Sequence, residues 1–291
     1  MDENDVSPGG TLRATIRSSA IQVPGAPNAL VGRMIEDAGY QAMYLSGASL
    51  SAGVLALPDV GLFTLTELVA QVHYLTSRVA IPLIVDADTG FGDVVNVERT
   101  VAELERAGAA AIQIEDQVLP KRCGHLSGKS LVDTDAMCAK LRAAANARSD
   151  DETVIIARTD ARSVDGFDAA VARAQQYLSA GADWIFPEAL ASRDEFQAFA
   201  AAVDAPLVAN MTEFGKSPLL TFDELAELGY RVVLYPVTLL RVAMKAVETA
   251  LTILAEDGTQ RELLDLMQTR QELYDLLDYS GYEARDRDYF S

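Results

Sequence analysis

Eight short apolar segments recur along this chain, each followed by a stretch that carries apolar residues at helical spacing. The segments are Ala20–Val23, Ala42–Leu45, Leu83–Val85, Ala111–Ile114, Val154–Ala157, Trp184–Phe186, Leu207–Ala209 and Val232–Leu234. Among the intervening stretches, Asn96–Ala107, Asp135–Ala147, Phe167–Ala180 and Thr221–Leu228 show the helical period most clearly. Gly39, Gly108, Gly181 and Gly229 fall just past such helices, where a left-handed residue ends a helix at little cost. Strand–helix alternation requires parallel strands, and a parallel sheet must be covered on both faces or closed on itself. Eight strands close a filled barrel, so the expectation is an α/β fold, a (β/α)8 TIM-type barrel, rather than an open doubly wound sheet. No Gly-rich phosphate loop follows the first segment, which argues further against a dinucleotide fold. Leu239–Leu254 and Arg261–Leu277 read as helices beyond the eighth strand. They predict a C-terminal helical extension, about residues 239–280 of a single 1–291 domain, lying over the barrel or on a neighbouring subunit.

With 291 residues, 49% of them hydrophobic, the chain can fill such a core. No apolar run approaches the roughly 20 residues that span a bilayer, so no membrane association is expected. The start, Met1-Asp2-Glu3-Asn4-Asp5, is acidic rather than basic and apolar. Two cysteines cannot make a disulfide framework, and a cytoplasmic location is expected. A net charge of −19 speaks against a nucleic-acid partner. Two readings of that charge stay open: a solvated acidic surface, or adaptation to high salt.

Polar residues fall where the apolar segments end. Segment two runs into Ser46-Gly47, three into Asp86-Ala87-Asp88, four into Glu115-Asp116 and five into Arg158-Thr159-Asp160. Six runs into Glu188 and seven into Asn210-Met211-Thr212-Glu213. One such carboxylate is commonly a helix cap. Six consecutive strand ends of this kind predict a site at the C-terminal mouth of the barrel. Asp86 and Asp88, two apart, would share a face of an extended chain and suit magnesium, with Glu115 or Asp116 as third partner directly or through water. Manganese is the alternative ion. Arg158 and Arg241 are candidates for bidentate carboxylate recognition. Lys121-Arg122-Cys123-Gly124-His125 sets a thiol among cations in a long connection after segment four, and Gly124 and Gly128 permit the motion of a lid. Cys138 reads as a packed apolar residue and His73 as structural.

These residues resemble a known group of enzymes. Lys121–His125 with Gly128-Lys129 is similar to the signature loop of the isocitrate lyase and phosphoenolpyruvate mutase superfamily. The resemblance extends over Tyr44-Leu45-Ser46-Gly47, Val85–Gly92, Ile114–Gln117, Ala157–Asp160, Phe186–Ala189, Ala209–Phe214 and Met267–Arg270. Arg122, Phe186-Pro187 and Leu234-Tyr235-Pro236 resemble the branch that cleaves methylisocitrate, whereas Leu126-Ser127 is similar to isocitrate lyases.

The resemblance implies a magnesium-dependent carbon–carbon lyase acting on a 2-hydroxy polycarboxylate, with methylisocitrate as substrate and isocitrate or dimethylmalate as alternatives. It implies metal at Asp86 and Asp88, and contacts to the keto-acid half from Ser46, Gly47 and Ala48, with Arg158 also holding the carboxylate of that half. Contacts to the succinate half would come from Cys123, Gly124, Arg158, Glu188, Asn210, Met211, Thr212, Arg241 and Arg270. Tyr44 would help remove the hydroxyl proton and Cys123 would protonate the departing carbanion, with Lys121, Arg122 and His125 beside it. A homotetramer that exchanges C-terminal helices is also implied. The competing class is a non-catalytic acidic binding protein, which would be expected to lack the carboxylate pair or the cysteine.

Overall fold

A computed structural model describes residues 6–126 and 128–290; Met1–Asp5 and Ser127, used above, lie outside the described residues. The chain divides into two compact units, Met1–Leu240 and Arg241–Ser291.

In the first unit the elements follow the anticipated alternation. Helix α1 (Pro8–Ser18) leads into β1 (Ile21–Pro24), α2 (Ala29–Asp37), β2 (Met43–Leu45), α3 (Gly47–Gly53), α4 (Leu65–Thr76) and β3 (Leu83–Asp86). Then come α5 (Val94–Arg106), β4 (Ala111–Glu115), α6 (Thr134–Ala147), β5 (Val154–Thr159), α7 (Phe167–Ser179) and β6 (Trp184–Pro187). The series ends with α8 (Arg193–Ala202), β7 (Val208–Asn210), α9 (Phe222–Glu227) and β8 (Val232–Tyr235). All ladders are parallel, in two runs, β2-β3-β4-β5-β6 and β7-β8-β1. Single parallel bridges, Gly25 with Tyr44 and Ile185 with Leu207, join the runs into a closed barrel. Gly39, Gly108, Gly181 and Gly229 have φ of 83°, 97°, 110° and 98°, as helix ends of this kind require.

Alternation along the strands sorts the apolar side chains into two sets. Ile21, Val23, Tyr44, Ile84, Val154, Ile156, Trp184, Phe186, Val232 and Leu234 form one cluster with Leu12 and Ile16 of α1. Their neighbours one residue along, such as Met43, Val85, Ile112, Ile155 and Val233, pack with the helices instead. The first set fills the barrel and α1 closes its lower end. Arg13 Nε of α1 donates to the Glu152 carbonyl at 2.9 Å, and its Nη2 pairs with Asp183 at 2.9 Å. Gly9 lets α1 approach closely: a Cβ there would stand 2.3 Å from the Glu152 carbonyl oxygen.

Helix α10 (Thr238–Asp257) begins in the first unit and continues in the second, which also holds α11 (Arg270–Leu276) and α12 (Tyr279–Asp288). The single helix expected over Arg261–Leu277 is instead a 3-10 segment, Arg261–Leu266, followed by α11. Met267 is extended, and Thr269 with Glu272 forms a capping box that starts a new helix. Local capping chemistry overrides the apolar spacing there. Val242, Val247 and Leu251 of α10 are exposed. Among the described residues no helix is long and apolar enough to cross a membrane.

Candidate active site

Strand register builds the site one layer above the apolar filling. Gln113 lies opposite Asp86, and Glu115 opposite Arg158, so side chains of equal height share the interior. Arg158 Nε reaches Glu115 Oε2 at 3.3 Å and donates to Asp160 Oδ2 at 3.0 Å. Its guanidinium lies 5.3 Å from the centre of the Phe186 ring, its partner in register on β6. Glu188 follows β6, fully buried, with Arg158 Nη1 at 3.4 Å and Asn210 Nδ2 at 3.3 Å. Burial would raise the Glu188 carboxyl, but Arg158 foremost, then His125 and Lys129, hold it down at about 2.

Across the mouth stand Asp86 and Asp88. Asp86 Oδ2 accepts from the Gly47 N–H at 3.1 Å, while Oδ1 accepts from Gln113 Nε2 at 3.1 Å. Asp88 does not share an extended strand with Asp86, contrary to the expectation from their spacing. Strand β3 stops at Asp86, and Asp88 sits in a turn with φ 47°, yet the turn still brings its carboxylate beside Asp86. Lys121 Nζ pairs with Asp88 at 2.8 Å and also with Asp59. Burial, with Asp86 adding to it, raises the Asp88 carboxyl to about 7 despite Lys121. Burial likewise pushes Glu115 well above the usual carboxylate range, against the pull of Arg158. A cleft of about 450 Å³ opens beside Asp88, lined also by Phe63, Thr64, Phe91 and Arg99.

The donor set fits a hard divalent ion. Glu115 Oε1 is buried without a hydrogen-bond partner, Asp88 Oδ1 faces the Lys121 ammonium, and burial makes both carboxyls costly to ionise unless further positive charge is added. Among the described residues no three His, Cys, Asp or Glu side chains gather tightly enough to enclose an ion alone. Asp116 does not belong to this set. Its carboxylate accepts from Thr159 Oγ1, the Asp160 N–H and Tyr177 Oη, at 2.8–2.9 Å.

Tyr44 lies within the barrel filling, 2% exposed, and its hydroxyl donates to Gln113 Oε1 at 2.8 Å. Burial first, and Asp86 next, push its phenol well above the ordinary value. Ser46 caps α3, accepting from the Ser49 N–H, and the first turn, Gly47 and Ala48, starts directly above β2. Met211 is packed in the outer apolar cluster, while Thr212 is half-buried just past β7.

Residues 121–126, with Lys129, fold over this mouth. A Cβ on Gly124 would stand 2.3 Å from Arg158 Nη2 and 2.6 Å from Glu188 Cγ, so the peptide lies directly on that pair. Lys129 Nζ, buried, joins the Gly124 carbonyl to Asp160. Cys123 is half-buried. The expected ring of cations around its thiol is corrected: Lys121 is directed at Asp88 and Asp59, His125 at Glu188, and the Arg122 side chain is exposed. Cys138 is buried in α6, as the sequence predicted, and His73 is exposed on α4. Arg241 and Arg270 belong to the second unit and are exposed.

Gln113, Asp59 and Tyr177 were not anticipated. Gln113 had a signal, since it keeps phase with Ala111 and Glu115 on β4; Asp59, in an irregular loop, had none.

A barrel with a carboxylate pair, a buried arginine among carboxylates and a thiol-bearing loop at its C-terminal mouth defines a class of enzymes acting on small carboxylates, and the chain belongs to the phosphoenolpyruvate phosphomutase family, whose model matches residues 12–255. Within that family it is 56% identical to the 2-methylisocitrate lyase of Aeropyrum pernix, over 96% of this chain and 90% of that protein. Among solved structures, a 2,3-dimethylmalate lyase matches with a TM-score of 0.92 at 36% identity, covering 98% of this chain and 96% of the other. A phosphonopyruvate hydrolase in complex with oxalate and Mg2+ matches with a TM-score of 0.89 at 33% identity, covering 98% and 100%.

Proposed function

We propose that this protein is a magnesium-dependent lyase that cleaves 2-methylisocitrate to pyruvate and succinate. The observation that carries the reading is the Gly124 peptide lying on the Arg158–Glu188 pair, which sets Cys123 at the rim of a mouth already holding the Asp86–Asp88 pair. The 56% identity to a 2-methylisocitrate lyase supports the substrate.

Asp86 and Asp88 would hold the ion, Mg2+ or alternatively Mn2+, with Glu115 assisting through water. When bound, the ion supplies Lewis-acid charge that acidifies the substrate hydroxyl. Arg158 and the first turn of α3, Ser46, Gly47 and Ala48, hold the carboxylate that leaves as pyruvate, a helix N-terminus being a natural anion site. Tyr44 assists removal of the hydroxyl proton. The oxygen's electrons then form the pyruvate carbonyl while the carbon–carbon bond breaks, leaving its pair on the succinate fragment. Gly124, Glu188, Asn210 and Thr212 surround that fragment, and donors aimed at its charge lower the barrier. Cys123 Sγ–H delivers the proton, with Lys121, Arg122 and His125 ordering the lid. The chain works as one domain in a cytoplasmic homotetramer that exchanges C-terminal helices; the exposed apolar residues Val242, Val247 and Leu251 of α10 support a covered face.

The test follows keto-acid release from methylisocitrate, isocitrate and 2,3-dimethylmalate side by side, with magnesium. Methylisocitrate should give the highest kcat/KM. Equal or faster turnover of either competitor would overturn the substrate, and no release from any of the three would overturn the function.

A further inference from the structure

We propose that the turn Phe214-Gly215-Lys216 is the receptor on which the Cys123 lid locks, with His125 as the latch. The proposal rests on reading residues 121–126, with Lys129, as a lid and adds to that reading what holds it shut. The Lys216 N–H donates to His125 Nδ1 at 2.9 Å, a bond between residues 91 apart in sequence. The other ring nitrogen, Nε2, faces the Glu188 carboxylate. That atom stands 2.7 Å from Glu188 Oε1, at an angle short of a well-formed hydrogen bond. One imidazole thus joins three segments: the lid, the end of β6 and the β7–α9 connection.

Gly215 is what lets the ring dock. A Cβ there would stand 2.6 Å from Nδ1, 2.8 Å from Cε1 and 3.0 Å from Cγ, so any side chain displaces the imidazole. The residue before it, Phe214, is held at φ 59° with its ring 92% exposed, a conformation a bulky side chain adopts only under constraint. Glu213 supplies an anchor through its bond from Thr238 Oγ1. The turn is a shaped seat rather than a slack loop. On the other shoulder of the lid, Lys129 fixes the Gly124 carbonyl to Asp160. Cys123, two residues before His125, is carried into place when the ring seats, and His125 acts as a positioning residue.

The test uses the full-length protein carrying Gly215→Ala, a change outside the residues assigned to substrate, metal or proton transfer. The rate of Cys123 alkylation by iodoacetamide is read by peptide mass spectrometry without substrate, with buried Cys138 as internal reference. Losing one hydrogen bond from the closed state should speed Cys123 alkylation about tenfold, and lower kcat more than it raises KM. Cys138 alkylation should not change. His125→Asn, whose side-chain oxygen can still accept from the Lys216 N–H, should protect Cys123 better than His125→Ala. Unchanged Cys123 alkylation in Gly215→Ala, or equal exposure in the two His125 variants, would overturn the latch. A lid that opens as expected in a protein whose wild type releases no keto acid would leave the latch standing and remove the lyase.

Discussion

At the scale of single residues, the site is a problem of charge held in a dry place. Arg158 faces three carboxylates, Glu115, Asp160 and Glu188, with one guanidinium. Glu188 is held at about 2, whereas burial keeps Glu115 well above the usual carboxylate range despite the pull of Arg158. A carboxyl whose folded pKa lies below its unfolded value stabilises the fold above that unfolded value and loses the contribution as pH falls toward the folded one. Glu188→Gln should therefore cost on the order of 3 kcal/mol at neutral pH and progressively less from about pH 4.5 down to about 2. Urea denaturation of both proteins across that range checks it; a pH-independent difference would assign the loss to packing. Cys123→Ser asks a different question. A hydroxyl is a far weaker acid than a thiol, so turnover should fall by about a thousandfold or more while the affinity for succinate stays within about threefold. Activity within tenfold of wild type would remove Cys123 as the proton donor. The cluster around Cys123 was legible because three basic residues and a thiol in five positions have few other uses. Where those cations point was not, since only the folded chain sets Asp59 and Glu188 against them.

Among elements, the recurrence of short apolar segments carried most of the sequence reading. It gave all eight strands within about two residues and put Ser46, Asp86, Glu115, Arg158 and Glu188 at strand ends. Asp88 escaped it, because a turn can converge on a point that an extended chain reaches only by alternation. The helix over Arg261–Leu277 escaped for the opposite reason, a capping box interrupting a pattern that apolar spacing alone would continue. What closes the barrel was also invisible. The β1–β2 join depends on Gly25, which bridges to Tyr44 and donates its N–H to the Tyr235 carbonyl at 2.9 Å. A Cβ on Gly25 would lie 2.0 Å from the Pro236 carbonyl oxygen, and main chain cannot move aside as a side chain can. Gly25→Ala should therefore lower stability by about 2 kcal/mol or more, read as a fall in urea midpoint. The matched control is Gly39→Ala, where nothing lies within 4 Å and only its φ of 83° costs, a penalty of about 1 kcal/mol. Equal losses in the two would mean that the join carries no special strain.

For the whole molecule, the net charge of −19 acts through two routes that can be separated. Exposed carboxylates repel one another over distances comparable with the Debye length, so added salt should stabilise by screening whatever its cation. Asp86, Asp88 and Glu115 are nearly dry, and screening reaches them little. A specific ion should act on them at concentrations too low to change the ionic strength. Raising NaCl from about 0.05 M to about 1 M, with chelator present, should lift the melting midpoint by several degrees, since about 1 kcal/mol corresponds to roughly 2–4 °C at this size. Adding millimolar MgCl2 at constant ionic strength should lift it again, by about 2.7 kcal/mol at a hundredfold excess over Kd. Asp88→Asn should abolish the second increment and leave the first intact. Loss of both increments would mean that the mutation perturbs the fold as a whole. A magnesium increment that survives Asp88→Asn would place the ion somewhere other than the Asp86–Asp88 pair. A midpoint indifferent to NaCl would show that the acidic surface is already fully relieved by water, leaving high-salt adaptation without a physical basis in this chain.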